Sequence, residues 1–260
     1  MPVMTIHGIA MNYKTAGKGT PVLFIHGLGS SLRDWSPQFS VFTEHYLSAA
    51  VDLRGHGNSD KPKAPYSIPM FANDMAALIG RCFREPIHIV GLSMGAAVAF
   101  HLAADYPDLV RTAVIANMSA AMPVKTLAQK KFYYSRVAVV KLMGMRKMGQ
   151  IIAKNVFTKP EHAPLRKTME DRWADNTKKA YLNAWAALKN WDVTHRLHAI
   201  ACPVLVIHSE RDYTPLAVKQ AYLAKIPKAT LVEIPDSGHL VNLEKPETFN
   251  RIVLDFLKTN

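Results

Sequence analysis

The sequence predicts an α/β fold with a mostly parallel sheet that helices cover on both faces. Three observations support this prediction: short, continuously apolar segments recur along the chain, amphipathic segments of helical length separate them, and almost half of the 260 residues are apolar. Continuously apolar strands are typical of a parallel sheet, because helices bury both of its faces. Strands that alternate with helices indicate βαβ units with right-handed crossovers.

Six apolar segments predict strands, and four amphipathic segments predict helices. In chain order the strands are PVLFIHG, YLSAAVDLRG, PIHIVGLS, RTAVIANMS, CPVLVIHSE and ATLVEIPDSGH. The helices are SIPMFANDMAALIGRCF, MGAAVAFHLAADYP, TPLAVKQAYLAKI and KPETFNRIVLDFLK. Pro215 and Pro246 fall near the starts of the last two helices, where proline is well tolerated, and Thr214 is the expected N-cap of the first of these.

Residues 121–190 interrupt this alternation of strands and helices. The segment is rich in Lys, Met, Trp and Tyr, contains no convincing strand, and is too long for a loop. We therefore expect a helical cap (lid) between the predicted strands RTAVIANMS and CPVLVIHSE, which are strands six and seven of an eight-stranded sheet. Residues 1–120 and 191–260 are expected to form the core domain. Within the cap, YLNAWAALKNW has a good helical pattern, and VAVVKLMGMRKMGQIIAKNVF is expected to be helical with interruptions at Gly144 and Gly149.

The net charge of +12 is concentrated in the same segment. Residues 121–190 hold 15 Lys and Arg against 4 Asp and Glu, whereas the remaining residues hold 17 against 16. This asymmetry suggests an anionic partner, which could be substrate, membrane surface or nucleic acid, or else a solvated lysine-rich surface. No nucleic-acid motif accompanies the charge, so nucleic acid is not expected. Peripheral membrane contact through the basic cap is disfavoured, because the apolar face of residues 137–157 is not clean.

The N-terminus and the cysteines bear on the compartment. Residues 1–17 lack a basic segment followed by an apolar block, and no apolar run approaches the ~18 residues of a membrane-spanning helix. Cys82 and Cys202 match no metal spacing and provide no disulfide framework. We therefore expect a cytoplasmic protein.

The segment GLSMG, residues 91–95, places a serine between two glycines where a predicted strand meets a predicted helix. Gly91 and Gly95 allow a tight bend from which the Ser93 side chain projects above the sheet. The N-terminus of the following helix favours negative charge at the same point. The pattern predicts a nucleophile, and a plain glycine turn is the alternative.

A serine nucleophile needs a base, and the base needs an acid that holds it. Asp212 lies in a loop after the fifth of the six predicted strands, and His239 lies in a loop after the apolar part of the sixth. A lone histidine in a late loop would more often be structural. The conjunction of three such residues at three strand ends predicts a catalytic triad of Ser93, Asp212 and His239.

Acyl transfer also needs hydrogen-bond donors for a tetrahedral oxyanion. The backbone N–H of Met94, the residue after the serine, is one predicted donor. The N–H of Leu28 is the other, in a loop where Gly27 and Gly29 let the chain pass close to a ligand. His26 is expected to orient this loop rather than to act as a second base.

Trp35, Met118 and Leu240, together with the Met and Trp residues of the cap, are candidates for lining an apolar substrate pocket. A Met-rich lining can adapt to varied acyl groups, which favours a broad carboxylesterase. The charge of the cap instead favours an anionic substrate, such as a lactone acid or an acyl-CoA.

Five motifs in family order resemble the α/β-hydrolase superfamily over essentially the whole chain. They are HGLGSS, DLRGHGNSDKP, GLSMG, SERDYTP and DSGHLVNLEKPE. Within that superfamily the chain is similar to cap-bearing carboxylesterases and lactonases of the 3-oxoadipate enol-lactonase type. The resemblance implies the α/β-hydrolase fold, an eight-stranded sheet with an inserted cap, and the triad and oxyanion roles given above. It also implies a structural role for Asp52 and Arg54, and a mechanism that requires no metal or organic cofactor.

The resemblance therefore implies a serine hydrolase of small to medium acyl esters or lactones. Haloalkane dehalogenases and epoxide hydrolases use aspartate where Ser93 stands, and carbon–carbon bond hydrolases usually have proline in the loop that reads DLRGHG here. Cofactor-free perhydrolases share the triad, so the motifs do not exclude this class of enzyme. Two alternatives remain: a hydrolase of an anionic enol-lactone or acyl-CoA thioester steered by the basic cap, and a non-catalytic ligand-binding protein on the same fold.

Overall fold

The computed structural model describes residues 2–260 and confirms the predicted α/β fold. Eight strands form one sheet in the order β1-β2-β4-β3-β5-β6-β7-β8. β2 pairs antiparallel with both β1 and β4, and the remaining neighbours are parallel. The strands are β1 (Val3–Ile6), β2 (Ile9–Ala16), β3 (Pro21–Ile25), β4 (Leu47–Val51), β5 (Ile87–Leu92), β6 (Val110–Ala116), β7 (Val204–Arg211) and β8 (Ala229–Gly238).

The six predicted strands correspond to β3 through β8. Every residue of β3 and of β5 is buried, which accounts for their continuously apolar sequences. β1 and β2 form the antiparallel edge, and their buried and exposed residues are mixed. These two strands therefore lack the uninterrupted apolar run that identifies the others.

The four predicted helices are confirmed as α2, α3, α7 and α9, and two short helices, α1 and α8, add to them. The prediction that Thr214 caps α7 is wrong. Pro215 occupies the N-cap position, and the Thr214 backbone N–H instead donates to Asp212 Oδ2 at 3.4 Å. The helices are α1 (Ser36–Phe42), α2 (Ile68–Cys82), α3 (Met94–Asp105), α7 (Leu216–Leu223), α8 (Val241–Glu244) and α9 (Pro246–Lys258).

Three further helices lie between β6 and β7, in the segment predicted as a cap: α4 (Leu127–Val156), α5 (Ala163–Ala174) and α6 (Lys178–Leu188). An antiparallel bridge between Ala121 and Asp192 joins the two ends of this segment. The assignment of the segment as a domain separate from the core stays a prediction. None of the helices within residues 2–260 combines the length and the apolar character needed to cross a membrane.

The backbone of α4 departs from helical geometry at Gly144, where φ is 84° and ψ is 179°. The expected interruption at Gly144 is therefore present. The expectation of a second interruption at Gly149 is wrong, because α4 stays helical there. A Cβ atom on Gly149 would lie 2.8 Å from Cβ of Trp173, so the glycine lets α5 pack closely against α4.

The core lies on both faces of the sheet. Along β3, Leu23 and Ile25 join the apolar cluster that contains α2 and α3, and Val22 and Phe24 join the cluster that contains α1 and α9. This packing fixes the parallel strands, whose carboxyl ends meet at one edge of the sheet. β5, β7 and β8 end at that edge, and it is there that the predicted site residues lie.

Candidate active site

Ser93 occupies a sharp turn between β5 and α3. Its backbone has φ 55° and ψ −122°, in a region that non-glycine residues rarely adopt and that costs on the order of 1–3 kcal/mol. A Cβ atom on Gly91 would lie 2.5 Å from the Gly95 carbonyl oxygen, and one on Gly95 would lie 2.0 Å from the Ile25 carbonyl oxygen. Both glycines are therefore needed for the turn that presents Ser93 at the end of the sheet.

Asp212 and His239 form a hydrogen-bonded pair beside this turn. Nδ1 of His239 lies 2.5 Å from Oδ1 of Asp212, whose carboxylate is fully buried. The Tyr213 ring covers the imidazole, with 4.6 Å between ring centroids. Because Nδ1 is engaged by the carboxylate, Nε2 is the nitrogen left for a reacting group in the cavity that His239 and Ser93 both line.

Lys219, a residue that the sequence reasoning missed, is fully buried against the same carboxylate. Its ammonium donates to Asp212 Oδ2 at 2.7 Å, to His208 Nδ1 at 2.9 Å and to Asn117 Oδ1 at 3.2 Å. Burial opposes ionisation of Asp212, but His239 and Lys219 outweigh it and lower the pKa of Asp212 below its usual value. Burial also lowers the pKa of His208, in keeping with a neutral ring that accepts from Lys219.

Asn117 fixes the loop that carries His239 and was also missed. Its backbone is in the left-handed region, with φ 50°. Its side-chain amide donates to the His239 carbonyl oxygen and to Ser209 Oγ, each at 2.8 Å, and its carbonyl oxygen accepts from the Ser209 N–H at 3.0 Å. The end of β6 is thereby tied to the loops that follow β7 and β8.

The two predicted oxyanion residues lie next to Ser93. Met94 is the first residue of α3, so its N–H belongs to the helix-terminal donors that have no intrahelical carbonyl. Leu28 lines the cavity with Ser93, and a Cβ atom on the preceding Gly27 would lie 3.7 Å from Ser93 Oγ. Gly29 instead approaches the ring of Trp173, which a Cβ atom there would meet at 2.8 Å.

His26 is held by the backbone at both ring nitrogens. Nε2 accepts from the Leu53 N–H at 3.0 Å, so Nδ1 carries the proton and donates to the Gly27 carbonyl oxygen at 2.7 Å. Burial lowers the pKa of His26 and favours this neutral form. Both nitrogens are thus engaged in positioning the loop that carries Leu28.

Asp52 and Arg54 make buried contacts that hold the loop after β4. The Asp52 carboxylate accepts from the Leu32 N–H at 2.8 Å and from the Asn12 amide at 2.7 Å. Arg54 forms a two-point ion pair with Asp74, at 2.5 Å and 2.7 Å. Neither residue lines the cavity that contains Ser93.

That cavity has a volume of about 420 Å³ and a mostly apolar lining. The structure places Trp35, Met118 and Leu240 in its wall, as the sequence predicts, and their role toward a substrate stays a proposal. The inserted helices form much of the opposite wall. Their lining residues are Phe132, Arg136, Ile152, Met169, Trp173, Trp185 and Leu188.

Arg136 is the one cation that α4, α5 and α6 contribute to this wall. Its Nε donates to the Tyr181 hydroxyl, and its guanidinium lies 4.5 Å from the centroid of the Trp185 ring. Within residues 2–260 it forms no ion pair with a carboxylate. From the sequence alone, this charge is recognisable only as part of the net charge of residues 121–190.

Similarity to known proteins covers nearly the whole chain. A sequence model of the family described as alpha/beta hydrolase fold matches residues 20–246. The 3-oxoadipate enol-lactonase 2 of Acinetobacter baylyi is 27% identical over 98% of this chain and 96% of its own. The putative carbamate hydrolase RutD of Escherichia coli is 30% identical over 91% of this chain and 90% of its own.

Among solved structures, the enol-lactonase from Burkholderia xenovorans has the same fold. It matches with a TM-score of 0.91 over 99% of this chain and 100% of its own, at 24% sequence identity.

Proposed function

The chain is a hydrolase of the alpha/beta hydrolase fold family, and from that premise we propose that it cleaves small to medium carboxylic esters or lactones. Ser93 is the nucleophile, His239 the general base and Asp212 the acid that orients it. The observation that carries the proposal is the Asp212–His239 pair, joined at 2.5 Å, in the wall of the cavity that Ser93 also lines.

Acylation begins when His239 Nε2 takes the proton of the Ser93 hydroxyl as Oγ attacks the ester carbonyl carbon. The buried carboxylate of Asp212 keeps the other proton on Nδ1 and stabilises the imidazolium that forms. The N–H groups of Leu28 and Met94 donate to the oxyanion, each lowering the barrier by about 3 kcal/mol. When the tetrahedral intermediate collapses, the leaving alkoxide takes the proton from Nε2.

Deacylation repeats these steps with water. His239 removes a proton from a water molecule, hydroxide attacks the acyl carbonyl carbon, and the Ser93 oxygen leaves with the proton that His239 returns. The names of two related proteins as enol-lactonases support this chemistry, because a lactone is a cyclic ester.

Hydrolysis of p-nitrophenyl esters from acetate to palmitate tests the proposal. We expect Ser93→Ala to lower kcat/KM by about 10⁴-fold or more, since a residual rate from binding and oxyanion stabilisation survives loss of a triad member. Ser119 provides the matched control, because it lines the same cavity while its hydroxyl donates to the Ala121 carbonyl oxygen. Ser119→Ala should stay within a few-fold of the parent protein.

Labelling with a fluorophosphonate distinguishes an inactive site from an active site with a narrow substrate range. If no ester is hydrolysed but Ser93 is labelled, lactones and acyl-CoA thioesters are the next substrates to test. Absence of both hydrolysis and labelling would contradict the proposal and favour the ligand-binding alternative.

A second candidate, a hydrolase of anionic esters or lactones, is favoured by Arg136. A guanidinium in a mostly apolar wall, with no carboxylate partner, is suited to a substrate that carries its own carboxylate. The mono-p-nitrophenyl ester of succinic acid and p-nitrophenyl butyrate have the same carbon count and differ in charge. If Arg136 binds the carboxylate, Arg136→Gln should raise KM about tenfold or more for the succinate ester alone. An equal change in KM for both esters would contradict that role.

A further inference from the structure

The first half of α4 exposes large apolar side chains. Leu127 is 86% exposed and Leu142 is 84% exposed, and Met143 and Phe132 are each more than half exposed. We call the exposed side chains of residues 127–143 the outer face of α4. Leucines normally leave water on folding, and a concentration of large exposed apolar side chains on one element marks an interaction surface.

The exposed residues follow the helical repeat. Leu127, Tyr134, Ala138 and Leu142 are all exposed, and the spacings of seven, four and four residues between them place all four on one stripe. Tyr133 and Val140, on the opposite side of the same helix, are buried. The stripe therefore lies on the side of α4 that faces solvent.

Positive charge surrounds the stripe. Residues 127–143 contain Lys130, Lys131, Arg136 and Lys141 and no Asp or Glu. Lys130, Lys131 and Lys141 are exposed on the outer face, and none of the three forms an ion pair within residues 2–260. Lys189, the C-cap residue of α6, donates to the Tyr134 hydroxyl at 3.0 Å and adds to the same surface.

We propose that the outer face of α4 docks on an anionic lipid surface. Leucines between lysines match a bilayer interface, where apolar side chains enter the acyl region and ammonium groups meet anionic headgroups. Nucleic acid would satisfy the lysines but would leave Leu127 and Leu142 in water. A protein–protein interface usually combines charges of both signs, which fix the register of the two partners. The outer face of α4 contains no acidic residue.

The outer face adjoins the candidate active site through Phe132. This side chain is exposed on α4 and also lines the cavity, where its ring lies 6.0 Å from that of Trp185. Docking would hold the part of the cavity wall that Phe132 forms against the lipid, so that an ester from the bilayer could enter past this side chain. Only this last step rests on the proposed function, because docking itself requires no hydrolysis.

Co-sedimentation of the full chain with vesicles tests the docking. We expect binding to vesicles of phosphatidylcholine mixed with phosphatidylglycerol, weak binding to phosphatidylcholine alone, and a decrease with added salt. Changing Lys130, Lys131 and Lys141 together to Ser should lower the partition coefficient about a hundredfold. Leu127→Ser with Leu142→Ser should lower it about tenfold or more.

Matched variants elsewhere on the surface distinguish docking from a general charge effect. One control changes the exposed Lys225, Lys228 and Lys258 to Ser, which removes three positive charges outside the outer face of α4. The other control is Val3→Ser with Val218→Ser, which removes two exposed apolar side chains outside it. Both control variants should bind like the parent protein. Circular dichroism and hydrolysis of p-nitrophenyl acetate should be unchanged in all four variants.

Three results would overturn docking. The first is no binding to either vesicle type. The second is equal loss of binding in the control and α4 variants. The third is self-association, measured by analytical ultracentrifugation without lipid, that disappears in the double leucine variant, because the outer face would then cover a second copy of the chain.

Discussion

At the residue scale, the fully buried Lys219 connects electrostatics to the proposed chemistry. Its ammonium is 2.7 Å from the carboxylate of Asp212, whose other oxygen holds His239. Burying an ammonium group costs several kcal/mol in lost hydration unless its hydrogen-bond partners offset that cost. Three acceptors surround it here, so the geometry is that of a residue that positions Asp212.

Replacing Lys219 by Met keeps the length of the side chain and removes its charge. We expect kcat/KM for ester hydrolysis to fall about tenfold, because Asp212 loses one of the contacts that orient it. The Lys219 charge helps to lower the pKa of Asp212, so its removal raises that pKa, and the part of the acid limb of kcat/KM that reflects protonation of Asp212 moves to higher pH. The measurement is the pH profile of kcat/KM for both proteins.

The Asp212→Asn background is the control for this prediction. Adding Lys219→Met to it should change kcat/KM little, because the two residues act as one unit. A loss of thermal stability with an unmoved acid limb would show that Lys219 serves only the fold.

At the element scale, the contact between α4 and α5 depends on one residue without a side chain. A Cβ atom on Gly149 would lie 2.8 Å from Cβ of Trp173 and 3.4 Å from Cα of Glu170, neither of which can swing away. Gly149→Ala should therefore lower the free energy of unfolding by about 1–3 kcal/mol, although alanine has the higher helix propensity. Urea denaturation measures this change.

Gly80 in α2 is the matched control. It is also helical, but no atom lies within 4 Å of the position a Cβ atom would take. Gly80→Ala should raise the free energy of unfolding by about 0.5–1 kcal/mol. A gain in stability at both positions would show that α5 does not pack tightly on α4.

Most elements were predictable from the sequence because their apolar pattern is local. β3 through β8 show it as unbroken apolar runs, and α2, α3, α7 and α9 show it as helical spacing. Ser93, Asp212 and His239 could be predicted as a candidate site because each follows such a strand. Their proximity then follows from the parallel sheet.

What the sequence could not provide are contacts between distant residues. Lys219 looks like any solvated lysine of an amphipathic helix, and only its approach to Asn117 and Asp212 shows that it is buried. Gly149 reads as a helix breaker until Trp173 is seen to occupy the space above it. The exposed stripe of α4 likewise depends on which side of that helix α5 and α6 cover.

At the scale of the whole molecule, the fold keeps several histidines neutral in its interior. Burial, with a smaller effect of the neighbouring His26, lowers the pKa of His56 to about 3, and burial lowers the pKa of His88 to about 4. The pKa of His26 is lowered by burial as well. In the unfolded chain each of these groups titrates near 6.5.

This difference makes stability depend on pH. As the pH falls below about 6.5, the unfolded chain binds protons at these histidines more readily than the folded protein does, so the free energy of unfolding decreases. His56 and His88 each contribute a slope of up to about 1.4 kcal/mol per pH unit, about 3 together, and the lowered pKa of His26 acts in the same direction. We expect urea denaturation at pH 7, 6 and 5 to show this loss.

His56→Asn isolates one contribution to that slope. Asparagine can keep a donor to the Arg54 carbonyl oxygen, which His56 Nδ1 reaches at 3.0 Å, but it does not titrate. The slope between pH 6 and pH 5 should decrease by about 1.4 kcal/mol per pH unit. If His56→Asn had the slope of the parent protein, the folded state would be taking up a proton at His56, and its burial would not exclude the charge.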